Sequence, residues 1–215
     1  MDIDLILPDV ARFQSYAKPI DLTFNQYLVT GREPILVHTG DWALARELVD
    51  RAVPLLNGQP LAYVFISHFE SDECGGLQVW LAKFPKAVPV CSEITARQLR
   101  GFGITESCLI RKPGEVLETG DARLQFVNYP SEMHLWSGLL AFETRRGTLF
   151  SSDLFIRFGA ASRDPQALAW SREIGKITAQ QVPSAQARGD LQKALLALPV
   201  RAVAPGHGPV LKAEP

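Results

Sequence analysis

Residues 61–77 read LAYVFISHFESDECGGL, and our interpretation of the chain starts from this stretch. Its apolar part, residues 61–66, has the length and the aromatic and β-branched content typical of a buried strand. His68, Glu70 and Asp72 follow at alternate positions directly after it. Because alternate residues of an extended chain face the same side, we expect these three side chains to converge on one point. One imidazole and two carboxylates offer nitrogen and oxygen donors, which suit a hard or borderline metal ion.

The same three residues taken alone also fit a solvated loop, since short motifs often match by chance. Three more polar residues lie beside strand signals: His134 in YPSEMHLWSG, Asp153 in TLFSSDLF and His207 in VRAVAPGHGP. Each alone also fits a hydrogen-bonded loop residue. Loops at strand ends are where sites are built on rigid scaffolds, so the six residues together favour a metal site. Three imidazoles and three carboxylates are enough for two metal ions if one carboxylate bridges them.

The composition is that of an ordinary globular protein. The chain has 215 residues, of which 47% are hydrophobic and 21% charged, with a net charge of −1. A charge near zero argues against nucleic acid or a membrane surface as a partner. The apolar part of residues 1–13 is too short for a signal peptide, so we expect none, and the sequence has no apolar run of about 20 residues, the length that spans a membrane. Three cysteines without CxxC spacing fit a reducing compartment, so we expect a cytoplasmic protein.

Strands and helices alternate in the first half, and short strands dominate the middle. The pattern predicts strands at residues 4–7, 24–30, 34–38, 61–66, 87–91, 115–118, 123–129, 138–144, 148–151 and 200–204. It predicts helices at residues 41–56, 77–84, 93–99, 164–182 and 184–198. No linker or repeat divides the sequence, so we expect a single α/β domain over residues 1–215. The expected architecture is an αββα sandwich, with two mixed β-sheets packed together and flanked by helices.

The strings HFESDECGG, LFSSDLF and APGHGPV, in this order, resemble the metallo-β-lactamase superfamily. More narrowly, they resemble the di-iron domain of flavodiiron proteins, which also occurs as stand-alone oxygen-binding di-iron proteins. Hydrolytic members of the superfamily usually carry histidine where this chain has Glu70. The resemblance covers nearly the whole chain and implies the metallo-β-lactamase-like αββα fold.

The resemblance also implies a ligand set for two non-haem iron ions (Fe²⁺/Fe³⁺). In that set His68, Glu70 and His134 hold one iron, Asp72 and His207 hold the other, and Asp153 bridges. A carboxylate in place of an imidazole hardens the site and favours iron over zinc. Many family members have histidine directly after the aspartate, whereas this chain has Glu73. Glu73 is therefore either an additional ligand or a solvent-facing residue, and the sequence leaves both open.

Flavodiiron proteins carry a flavodoxin domain after the di-iron domain. This chain has no glycine-rich loop that would cradle a flavin phosphate, so we expect no flavodoxin domain and no flavin here. Two interpretations follow: an oxygen sensor or binding protein with a signalling partner, or an O₂ or NO reductase served by an external protein electron donor. The alternative is a dinuclear zinc hydrolase, against which Glu70 counts. The sequence leaves open whether the chain forms a homodimer.

Overall fold

The computed structural model describes residues 1–130 and 138–214. Within these residues, fourteen strands form two sheets of seven strands each. The first sheet takes its strands from the first half of the chain: β1 (Asp2–Leu7), β2 (Val10–Ala17), β3 (Leu22–Val29), β4 (Ile35–Val37), β5 (Tyr63–Phe65), β6 (Val88–Cys91) and β7 (Leu109–Ile110). They lie in chain order across the sheet. The pairs from β1 to β4 are antiparallel and those from β4 to β7 are parallel.

The second sheet takes its strands from the rest of the chain: β8 (Val116–Glu118), β9 (Arg123–Tyr129), β10 (Gly138–Glu143), β11 (Thr148–Ser152), β12 (Gln166–Ala169), β13 (Ala202–Pro205) and β14 (Leu211–Glu214). Their order across the sheet is β12-β14-β13-β11-β10-β9-β8. The sheet is mixed, since β11 runs parallel to β13 and β12 parallel to β14, and its other pairs are antiparallel.

Helices cover the outer face of each sheet. They are α1 (Trp42–Ala52), α2 (Ser71–Cys74), α3 (Leu77–Lys83), α4 (Glu93–Gly101), α5 (Trp170–Gly175) and α6 (Ala185–Leu196). Asp41 caps α1, because its side chain accepts a hydrogen bond from the backbone N–H of Leu44 at 2.7 Å. None of the helices in the described ranges combines the length and the apolar character that crossing a membrane requires.

Strand alternation divides the buried apolar residues into three layers. Phe65 and Phe150 belong to the core between the two sheets. Their neighbours Val64 and Leu149 face the opposite way, Val64 into the core under α1, α3 and α4 and Leu149 into the core under α5 and α6. The predicted αββα sandwich, with two mixed sheets flanked by helices, is therefore confirmed.

One predicted element is wrong. Residues 164–182 were expected to form one helix, but the structure has strand β12 at Gln166–Ala169 followed by the short helix α5. Strand β12 pairs with β14, which lies more than forty residues later in the sequence. That partner comes from the tertiary fold and leaves no trace in the local pattern.

Besides β12, three further strands were not predicted: β2, β7 and β14. In β2 the apolar alternation is hidden by Arg12, which is fully buried and pairs with Asp4. A buried charge of this kind is rare unless it is paired, so the sequence pattern suggests solvent instead.

Candidate metal centre

Four chain segments meet at one edge of the sandwich and bring the candidate ligands together. His68 follows β5 and Asp153 follows β11, while His207 follows β13. Helix α2 carries Asp72 and Glu73 immediately after Glu70. Strands β11 and β13 are parallel neighbours, so their carboxyl ends open at the same edge of the second sheet.

The first group of ligand atoms surrounds the His68 imidazole. Nε2 of His68 lies 3.0 Å from Oε2 of Glu70 and 3.3 Å from Oδ2 of Asp153. His68 is buried, whereas the Glu70 side chain keeps 35% of its surface exposed. This group joins the end of a strand in the first sheet to the end of a strand in the second.

The second group surrounds the His207 imidazole. Nε2 of His207 lies 3.3 Å from Oδ2 of Asp72 and 3.4 Å from Oδ1 of Asp153. Each carboxylate oxygen of Asp153 therefore faces a different histidine. Asp153 stands between the two groups, where a bridging carboxylate would lie.

The expectation that His68, Glu70 and Asp72 converge through an extended backbone is wrong for Asp72. Glu70 is still extended, but the chain turns into helix α2 from Ser71 onward. The turn carries Asp72 away from His68 and against His207. A helical turn changes the side-chain direction by about 100° per residue, so alternation no longer applies there.

The far side of each imidazole ring has its own polar contacts. Nδ1 of His207 lies 3.3 Å from the backbone oxygen of Thr23, which can only accept, so Nδ1 carries a proton, and Nε2 is the ring nitrogen that faces the carboxylates and would bind a metal ion. Nδ1 of His68 contacts the hydroxyls of Ser67 at 3.0 Å and Ser152 at 3.3 Å. Contacts of this kind orient histidine ligands in metal sites.

Backbone hydrogen bonds hold the loops that carry these residues. Ser152 adopts a left-handed conformation with φ of 52°, which turns the chain sharply just before Asp153. The oxygen of Ser152 accepts a hydrogen bond from the N–H of Gly206 at 2.7 Å, next to His207. The oxygen of Ser67 accepts one from Leu139 at 2.9 Å, next to His68.

The site concentrates negative charge in a buried place. Burial is the largest cause that raises the pKa of Asp72 and, much further, the pKa of Glu73, and neighbouring carboxylates add to both shifts. Burial opposes charge on His68 and His207, but the carboxylates around them outweigh it and raise the pKa of both rings. Two imidazoles thus face four carboxylates, those of Glu70, Asp72, Glu73 and Asp153.

These residues fit a pair of cations. Oε2 of Glu73 is buried and has no hydrogen-bond partner among the described residues, a costly arrangement that a cation would relieve. Two sets of ligand atoms each lie within 4.8 Å of one another: His68, Glu70 and Glu73 in one, and Asp72, Glu73 and His207 in the other. Imidazole and carboxylate donors suit iron and manganese better than a soft ion.

His134 lies outside the described residues. The identification of His134 as a ligand therefore stays a prediction, and so does the assignment of the other five candidates to metal positions. Cys74 is buried, burial raises its pKa to about 12, and its thiol donates to the backbone oxygen of Glu70 at 3.1 Å. That environment fits a packed core residue rather than a reactive thiol.

Sequence reasoning missed the residues that orient the ligands. Ser67 and Ser152 each directly precede a candidate ligand, and that adjacency is a signal the sequence contains. Thr23 is 184 residues away from His207 and carries no such signal.

Comparison with known proteins places the chain beside di-iron flavoproteins. It is 29% identical over 198 residues to putative diflavin flavoprotein A 1 of Thermosynechococcus vestitus, covering 88% of this chain and 34% of that protein. It is 26% identical over 136 residues to the anaerobic nitric oxide reductase flavorubredoxin of Salmonella typhi, covering 62% of this chain and 28% of that protein. The chain thus spans about a third of the length of these two relatives.

The solved structures agree on the fold. The flavodiiron protein from Giardia intestinalis superposes with a TM-score of 0.81 at 18% sequence identity, covering 100% of this chain and 56% of that one. The shared architecture is the metallo-β-lactamase-like core. A family model described as ODP family beta lactamase matches residues 22–208, most of the chain, and the chain therefore belongs to the ODP beta-lactamase family.

Proposed function

We propose that this protein is a non-haem di-iron protein that binds O₂ or NO. The observation that carries the proposal is Asp153, whose two carboxylate oxygens lie 3.3 and 3.4 Å from Nε2 of two different histidines, His68 and His207. A carboxylate placed in this way holds two metal ions close enough for both to act on one small ligand.

The proposed ligands divide into two sets. His68, Glu70 and His134 hold one iron, Asp72 and His207 hold the other, and Asp153 is shared. The contacts of His68 with Glu70 and of His207 with Asp72 support this division. When bound, two ferrous ions would supply the electrons and the open coordination positions that O₂ or NO requires.

The donor set favours iron over zinc. Glu70 places a carboxylate beside His68, and the described part of the site holds four carboxylates against two imidazoles. Oxygen donors of this number suit a hard ion and stabilise its more highly charged, oxidised state. The thiol nearest the site, Cys74, is engaged with the Glu70 backbone oxygen instead of the cluster.

An apolar cavity lies beside Glu70. A cavity of about 340 Å³ is lined by Phe69, Glu70, Cys74, Leu99 and Phe102, among others. Its walls are mostly apolar, which suits small uncharged ligands such as O₂ and NO better than a charged ester substrate. The names of the relatives point the same way, since one of them is a nitric oxide reductase.

We further propose that electrons for any catalytic reduction come from a separate protein donor, or that a signalling partner detects the oxidised state. These are the two roles left open by the ligand set, because both need the same iron centre. The proposed compartment is the cytoplasm, in keeping with the free thiols of Cys74, Cys91 and Cys108.

The deciding experiment is the metal content and optical spectrum of anaerobically purified protein, before and after O₂ is added. We expect about two irons per chain and a visible band that appears on oxidation. Asp153→Ala should lose one or both irons. A persistent band indicates a binding protein, and a band that decays with turnover under added reductant indicates a reductase. Two zinc ions, with no spectral response after iron reconstitution, would contradict the proposal and favour a hydrolase.

A further inference from the structure

Glu73 lies at the centre of the candidate metal site. It is the one residue that belongs to both groups of ligand atoms that lie within 4.8 Å of one another among the described residues. Its side chain is only 1% exposed, and its Oε2 atom is buried without a hydrogen-bond partner in the described ranges. An ionised carboxylate in this position needs a positive partner, and the described contacts supply it with another carboxyl group, that of Asp72, but with no lysine or arginine.

The backbone holds Glu73 in this place. The backbone oxygen of Glu73 accepts two hydrogen bonds from Thr39. The backbone N–H of Thr39 donates at 2.9 Å, and its hydroxyl Oγ1 donates at 3.2 Å. The backbone N–H of Cys74 donates a hydrogen bond to the backbone oxygen of Glu70 at 3.0 Å, which closes the turn of α2. Glu73 is therefore anchored to the segment that follows strand β4, and its side chain is directed into the site.

His38 begins that same segment, directly after strand β4, and faces Glu73. Its Nδ1 atom lies 3.9 Å from Oε1 of Glu73, both side chains being buried. This distance is longer than a hydrogen bond, so in the structure the ring is a close buried neighbour of the Glu73 carboxyl group. The ring stacks on Phe65 with centroids 6.4 Å apart, and Nε2 has no hydrogen-bond partner among the described residues.

The backbone at His38 is unusual. Its φ is +64°, a left-handed conformation that residues other than glycine seldom adopt, while its N–H donates to the oxygen of Phe65 at 2.9 Å. Such conformations are costly and cluster at functional sites. Here the conformation places the His38 ring beside Glu73.

We propose that Glu73 is a carboxylate ligand shared by the two metal positions, and that His38 is the positioning residue that holds its carboxylate in place. The inference rests on the proposed di-iron function. It gives Glu73 a role beside Asp153, as a second carboxylate between the two ions. It also gives His38 the role that residues packed beside metal ligands commonly have, which is to orient the ligand.

The ligand is Glu73 rather than His38. His38 is absent from both groups of ligand atoms, whereas Glu73, which its ring approaches at 3.9 Å, belongs to both. The unpartnered Oε2 of Glu73 is the atom available to a cation.

The test is the binding of Fe²⁺ without oxygen, measured by equilibrium dialysis against a ferrous chelator. We expect the wild type to bind about two ions and Glu73→Gln to bind both at least about tenfold more weakly. Glu73→Asp, which keeps the charge on a shorter side chain, serves as a second variant. Glu143→Gln is the matched control, because Glu143 is fully buried but lies among Arg123, Arg145 and Arg146 instead.

Two variants of His38 test the positioning role. His38→Gly tolerates the positive φ but removes the ring, so we expect Fe²⁺ affinity to fall about 10- to 100-fold. His38→Asn also tolerates this φ and keeps an N–H donor near the position of Nδ1, so we expect it to restore most of the affinity. Co²⁺ absorption reports the coordination geometry in each variant, and circular dichroism confirms that each variant is folded.

The outcomes separate the inference from the proposed function. Failure of the wild type to bind Fe²⁺ would contradict the proposed function itself. Two ions bound with equal affinity in wild type and Glu73→Gln would leave that function standing and overturn the role of Glu73. Loss of only one ion in Glu73→Gln would overturn the shared position. Unchanged affinity in His38→Gly, or no recovery in His38→Asn, would overturn the role of His38.

Discussion

Glu70 is the residue on which the proposed chemistry of the site depends most directly. Its Oε2 atom lies 3.0 Å from Nε2 of His68, about a third of its side chain is exposed, and the residue lines the cavity that Phe69 and Phe102 also line. A carboxylate here adds a hard anionic donor to a ligand set that would otherwise be richer in imidazole. The choice between an iron protein and a zinc hydrolase therefore depends strongly on this one side chain.

Replacing Glu70 by histidine should change the metal that the site prefers. We expect Glu70→His to shift the ratio of zinc to iron affinity upward by on the order of tenfold and to abolish the reaction with O₂. Competitive loading followed by elemental analysis measures the ratio, and stopped-flow absorption measures the O₂ reaction. Glu118→His, at an exposed glutamate far from the site, is the control. A Glu70→His protein that keeps iron and oxidises rapidly would show that this account of Glu70 is wrong.

At the scale of the elements, the site depends on how closely β10 approaches the chain after β5. A Cβ atom on Gly138 would lie 2.3 Å from the oxygen of Ser67 and 2.9 Å from Cβ of His68. Only glycine fits there without moving the backbone. The hydrogen bond from Leu139 to Ser67 then fixes the segment that carries His68.

Gly138→Ala should therefore weaken both folding and metal binding. We expect a loss of about 1–3 kcal/mol in the free energy of unfolding, as for other overpacked positions, because the added methyl pushes Ser67 and His68 outward. Urea denaturation and Fe²⁺ titration measure the two effects. Gly189→Ala is a matched control in helix α6, where an added Cβ meets no atom within 4 Å, and it should be neutral or stabilising by about 1 kcal/mol. Equal behaviour of the two variants would contradict this explanation.

Helix α5 is attached to the rest of the fold through a buried carboxylate, that of Glu173. It accepts hydrogen bonds from Arg157 and, at 2.9 Å, from Lys176. Burial works to raise the pKa of Glu173, but the hydrogen bonds from Arg157 and Lys176 outweigh it and hold the pKa below its usual value. A lowered carboxyl pKa means that the ionised form favours the folded state.

Glu173→Gln should consequently lower stability at neutral pH by about 1–3 kcal/mol, the range for hydrogen bonds to charged groups. The contribution of Glu173 is fully present above its unfolded pKa of about 4.3 and is lost as the pH falls through the lower, folded pKa. The difference between wild type and variant should thus shrink in acid. Thermal unfolding at a series of pH values measures it.

Glu93→Gln, which breaks an exposed pair with Arg97, should change little. A constant difference from pH 7 to pH 3 would contradict the assignment.

At the scale of the whole molecule, the candidate site joins the two sheets. His68 and Asp72 belong to the half of the chain that forms the first sheet, and Asp153 and His207 to the half that forms the second. Asn25 adds a protein contact across the same junction, since its amide donates to the oxygens of Pro205 and Gly208 at 3.0 and 2.7 Å. Metal ions bound here would hold both halves together.

Metal removal should accordingly destabilise the entire sandwich. A metal at 100 times its dissociation constant stabilises the folded state by about 2.7 kcal/mol, which for a chain of this size shifts Tm by about 5–11 °C. Calorimetry of iron-loaded protein with and without a chelator measures the shift. The Asp153→Ala variant should show a smaller one. A Tm that does not respond to chelator would indicate that the metals do not link the sheets.

The fold class and most of the candidate ligands could be predicted from the sequence because their signals are local. The apolar runs that precede His68 and Asp153 identify strand ends. Residues just past a strand end lie in loops, where their side chains can form a site. His207 follows another such run between glycines. His134, predicted in the same way, lies outside the described residues and stays a prediction.

Only the tertiary structure decided which side chains meet. Asp72 contacts His207 instead of His68 because a helical turn begins at Ser71, and neither the turn nor the distant partner follows from alternation. Strand β12 exists because β14 supplies its hydrogen bonds from later in the chain. His38 approaches Glu73 through a left-handed backbone that no sequence period specifies. The sequence by itself determined which residues stand at strand ends, whereas contacts between distant segments, which local periodicity does not encode, determined how they are grouped.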